Sequence, residues 1–124
     1  MNGKYLLVPL LLGWMLVSSP AVMAGPAIQE MVGIMLDLHH YPSDSEKVTL
    51  QKIIDDGASS QDERAIATAL LHMHHSVTDA DKAKLMGIAN NDMAPAADRK
   101  VAEILAHMEH KASAADKKEL EKLK

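Results

Sequence analysis

His40, His75 and His110 stand 35 residues apart, and the sequence around them runs in register without a gap. The stretch from Leu38 to Lys47 aligns with Met73 to Lys82 and with Met108 to Lys117, and the residue types agree along the alignment. A period of this length marks a supersecondary unit that cannot bury its own apolar face, so neighbouring copies must pack together.

Each unit carries two sets of helix punctuation. Ser43 with Glu46, Thr78 with Asp81 and Ser113 with Asp116 place a hydroxyl three residues before a carboxylate. The hydroxyl can cap orphan amides while the acid favours the positive helix end. The second set is Ser59-Ser60-Gln61-Asp62 and Ala94-Pro95-Ala96-Ala97-Asp98, with Gly25-Pro26 at nearly the same place. Pro95 suits a first helical position, having no amide to lose. Gly57 follows one helix where a left-handed residue is expected, and Asn90-Asn91 are expected to do similar work.

Between these signals the apolar residues follow an i, i+3, i+4, i+7 stripe: Met31, Ile34, Met35, Leu38, then Ile66, Ala69, Leu70, Met73, then Val101, Ile104, Leu105, Met108. The pattern predicts longer helices over 26–40, 60–75 and 95–110 and shorter ones over 44–56, 79–91 and 114–124. The expected fold is all-α: six antiparallel helices in a 35-residue hairpin repeat, stacked as a small solenoid or bundle. In size the pair resembles a tetratricopeptide unit. The Trp, Gly, Tyr and Pro positions that mark that family are missing, and the period exceeds its usual ~34 residues.

Residues 1–24 read as a cleaved signal peptide, with Lys4 before the apolar run Tyr5 to Val17 and Val22-Met23-Ala24 ahead of Gly25. The run is too short for the roughly 20 apolar residues of a membrane span. The expected product is one domain over 25–124, periplasmic or secreted, with no stable membrane insertion. Without Lys4 its formal net charge moves from −4 to −5, and Tyr41 is its only Phe, Tyr or Trp. A basic face and stacking platforms are both lacking, which argues against nucleic acid. The chain has no cysteine, so disulfides, thiolate metal sites and cysteine nucleophiles are excluded.

The seven histidines fall in three positions of the period and are expected in the last turn of the longer helices. Across the copies these positions read Asp37, His72, His107, then His39, His74, Glu109, then His40, His75, His110. All nine are candidate metal ligands, suited to Zn²⁺, Cu²⁺ or Ni²⁺. On a continuous helix Asp37 with His40, His72 with His75 and His107 with His110 would share one face and chelate an ion. Two ligands do not complete a site, and the rest would have to come from a neighbouring copy. The competing reading is simpler: histidines favour helix C-termini, and duplication copies them.

Lys47, Lys82 and Lys117 read as solvated first-turn residues, and Asp55-Asp56 and Asn90-Asn91-Asp92 lack the spacing of a calcium loop. No nucleophile elbow or phosphate-binding Gly loop is present, so the sequence does not suggest an enzyme. Taken alone, it reads first as an exported module that binds another protein or serves a structural role, and second as a divalent-metal buffer.

Overall fold

A computed structural model of the chain describes residues 24–124. The expected leader lies outside the described residues except for its last position. Among the described residues there are six helices and no strand: α1 (Pro26–Asp37), α2 (Asp44–Asp55), α3 (Gln61–Leu71), α4 (Asp79–Ala89), α5 (Ala96–His107) and α6 (Ala114–Lys122).

The caps form where the hydroxyls stand. The Ser43 hydroxyl accepts from the Glu46 amide at 3.2 Å while the Glu46 carboxylate accepts from the Ser43 amide at 2.8 Å. Ser60 and Glu63 make the same reciprocal pair at α3. Thr78 and Ser113 accept from Asp81 and Asp116 at 3.1 Å, starting α4 and α6. Each cap satisfies an amide that the first helical turn leaves unpaired. Pro95 itself is the N-cap of α5, one place earlier than expected, and Pro26 opens α1.

The apolar stripes meet around a common axis. α1, α3 and α5 touch one another, and bury Met31, Val32 and Met35 against Ile66, Ala67 and Leu70 and against Val101, Ala102 and Leu105. The shorter helices lie outside, α2 against α1 and α3 and α4 against α3 and α5. The sixth helix then returns to the first: α6 packs on α1. The stack is therefore a closed bundle, and the extended face of an open solenoid does not form. Leu50, Leu85 and Leu120 are the fully buried anchors of the three outer helices.

Two expectations about helix ends are corrected. No glycine adopts a positive φ among the described residues, so Gly57 is not a left-handed cap. The α2 end is held instead by the Ser59 hydroxyl, which donates to the Ile53 carbonyl at 2.7 Å, and by the Asp56 carboxylate, which accepts from the Ala58 amide. Asn90 caps α4 with φ −95°, likewise not left-handed. The left-handed positions lie elsewhere: they are His40, His75 and His110.

Candidate metal centre

The inner helices stop about one turn earlier than their stripes suggest, and this creates the site. Only His107 lies within a helix, and His72 is the C-cap of α3; His39, His40, His74, His75 and His110 lie beyond the helix ends. Leu38, Met73 and Met108 cause the stop. Each is at most 2% exposed, and Leu38 and Met108 reach the core from extended backbone, with ψ near 135°. Four residues later Pro42, Val77 and Ala112 are buried again. The chain must dip, emerge and dip within five residues, so the middle one sits on a sharp reversal.

That reversal is a γ-turn. The Tyr41 amide donates to the His39 carbonyl at 2.7 Å, Ser76 to His74 at 2.6 Å and Lys111 to Glu109 at 2.6 Å. The central residues have φ of 69°, 64° and 63°, and they are the only non-glycine residues with positive φ among those described. A γ-turn of this hand is rare and strained for a residue with a Cβ. The same residue type occupies the strained position in all three units.

The three turns then join. The His40 amide donates to the His110 carbonyl at 2.6 Å, His75 to His40 at 2.8 Å and His110 to His75 at 2.6 Å, which closes a ring of backbone hydrogen bonds. Every donor and acceptor in that ring is used once. The side chains follow the same threefold pattern, with ring centroids 4.8–4.9 Å apart and planes crossed at 74–88°.

Their Nδ1 atoms converge to a triangle: 3.1 Å between His40 and His75, 2.9 Å between His40 and His110, and 3.0 Å between His75 and His110. A neutral imidazole nitrogen offers either one N–H or one lone pair. Three that face one another cannot all be satisfied, since a proton on one leaves two lone pairs opposed. A single cation accepts all three lone pairs together. The three histidines form a group able to hold a metal ion. Partial loss of hydration, followed by the proximity of His110, His75 and His39, lowers the pKa of His40 below its ordinary value and favours the neutral, ligating form.

The proposed chelating pairs do not form a common helical face, because α1 and α3 end before His40 and His75 and α5 ends at His107. Of the nine candidates, the structure brings together His40, His75 and His110. The His72 imidazole is directed to the Asp81 carboxylate at 3.4 Å, tying α3 to α4. The His107 Nδ1–H donates to the Glu103 carbonyl at 3.0 Å. His74 lies beside Tyr41, with ring centroids 6.0 Å apart. Asp37, His39 and Glu109 are exposed at the helix end or beside the turns. A sequence signal for the triad did exist. In a closed threefold bundle a residue on the axis meets its own copies, and His is the same in all three units only at 40, 75 and 110.

The triad is solvent-exposed at the surface. A groove of about 550 Å³ between α3 and α4 is lined by Arg64, Thr68, Asp81 and Lys84 and shares no residue with it. The chain matches no family model, and comparison with the curated proteins and with the solved structures gave no match.

Proposed function

We propose that the protein binds a divalent transition metal at His40, His75 and His110, and acts in an exported compartment as a buffer or carrier of that ion. The observation that carries this reading is the convergence of three Nδ1 atoms to within 3.1 Å on strained turns. Imidazole donors suit Zn²⁺, Cu²⁺ and Ni²⁺. Exposure supports exchange over burial of the ion. Tight sites back each ligating imidazole with a carbonyl or carboxylate on its other nitrogen, worth about 10–100-fold in affinity. Among the described residues no such hydrogen bond holds the triad. An open site of this kind takes up and releases its ion.

The test is calorimetry and native mass spectrometry of the purified protein with Zn²⁺, Cu²⁺ and Ni²⁺. One ion should bind with micromolar or better affinity, survive the combined substitution His39→Ala, His72→Ala, His74→Ala and His107→Ala, and disappear with His40→Ala, His75→Ala and His110→Ala. Affinity no better than that of a free histidine peptide would end the metal reading. It would return the protein-binding or structural module to first place.

A further inference from the structure

The spacing of the triad carries information about which coordination geometry it accepts. At the ~2.0–2.1 Å metal–nitrogen distance usual for imidazole, a tetrahedral angle sets neighbouring nitrogens about 3.3–3.4 Å apart, whereas a right angle sets them about 2.8–3.0 Å apart. The three separations are 3.1, 2.9 and 3.0 Å. All three lie nearer the right-angle spacing than the tetrahedral one.

We infer, building on the metal reading above, that the triad is a facial site for a six-coordinate divalent ion, with three adjacent positions left for exchangeable oxygen donors. Zn²⁺ in protein sites prefers four ligands in a tetrahedron. Tetragonal Cu²⁺ would push one of three equivalent nitrogens onto a long axial bond, and the near-equal separations do not provide one. Three nitrogens on one face leave the opposite face of the ion to the solvent, because His40, His75 and His110 are all exposed. The ligands that fit there are water or a chelating carboxylate that spans adjacent corners. A facial site thus receives and releases its ion with part of the coordination shell still in place.

Two probes test the geometry in the full protein. Co²⁺ bound to the triad should show the weak visible absorption of a six-coordinate ion. Ni²⁺ with iminodiacetate, a tridentate chelator, should give a one-to-one-to-one ternary species in native mass spectra. His75→Ala should abolish both. Uptake of cobalt with the intense visible bands of a four-coordinate ion would overturn the facial assignment while leaving metal binding intact, as would removal of nickel by iminodiacetate with no ternary species. Failure to take up either ion would instead overturn the metal reading itself.

Discussion

His40 Nδ1 lies 2.9 Å from His110 Nδ1, although 70 residues of chain separate them. The pair is held across the bundle: α5 packs on α1, and the His40 amide donates to the His110 carbonyl at 2.6 Å. A metal there would tie the turns after α1, α3 and α5 to one another. An ion that binds only the folded chain stabilises it by about 2.7 kcal/mol at a hundredfold excess over Kd. For a domain of this size that corresponds to a rise in Tm on the order of 10 °C. Thermal unfolding with and without metal should show that shift, and His75→Ala should remove it.

Ligation and backbone strain can be separated at the γ-turns. Replacing His40, His75 and His110 by Ala removes the imidazoles but keeps a Cβ at φ of 63–69°. Replacement by Gly removes both. The Gly variants should be more stable than the Ala variants by roughly 1 kcal/mol per position, while neither binds metal. Urea unfolding of the two metal-free sets is the measurement, and equal midpoints would mean that the turns are unstrained.

Asp98 gives a pH dependence opposite in sign to that of His40. Burial, with Glu63 and Asp62 close by, pushes its carboxyl up to about 6 from an ordinary value near 3.8. Between those values the folded state binds more protons than the unfolded state, so this contribution to stability falls as pH rises through the window. His40, whose pKa is lowered, contributes the reverse, and loses stability as acid protonates it. Asp98→Asn should therefore raise stability at pH 7 and leave a curve that improves with pH from 4 to 7. Denaturant midpoints across that range would check it; an unchanged slope in the variant would count against the assignment.

Bundle closure should be coupled to the site through α6. Leu120 is the one fully buried side chain of that helix. Leu120→Ala should cost about 2–5 kcal/mol. It should also weaken metal binding, because the His110 turn leads directly into α6. Calorimetry on the folded variant reads the second effect, and an unaltered affinity would show that the turns hold the triangle without α6.

Much of this fold was legible in the residues. The stripes of Met31, Ile34, Met35 and Leu38 and their counterparts mark the buried faces, and Ser43, Thr78 and Ser113 mark helix starts, because helical period and capping are local physics. The site was not legible to the same degree. Leu38 continues the helical stripe yet reaches the core from an extended backbone, so pattern alone carried α1 three residues too far. That error set His40 on a helical face beside Asp37 instead of on an axis beside His75 and His110. Positive φ was expected at Gly57, where no Cβ opposes it, and occurs instead at three histidines. Closure is also a long-range property: no local window distinguishes an open stack from one whose last helix meets its first.

Imidazole nitrogen NMR addresses the central claim most directly, since it reports each ring by itself. Long-range proton–nitrogen spectra recorded while diamagnetic Zn²⁺ is added should show the Nδ1 resonances of His40, His75 and His110 shifting together and saturating at a single equivalent. Those of His39, His72, His74 and His107 should stay in place. Shifts spread over those four, or a triad that does not respond at one equivalent, would contradict the proposed centre.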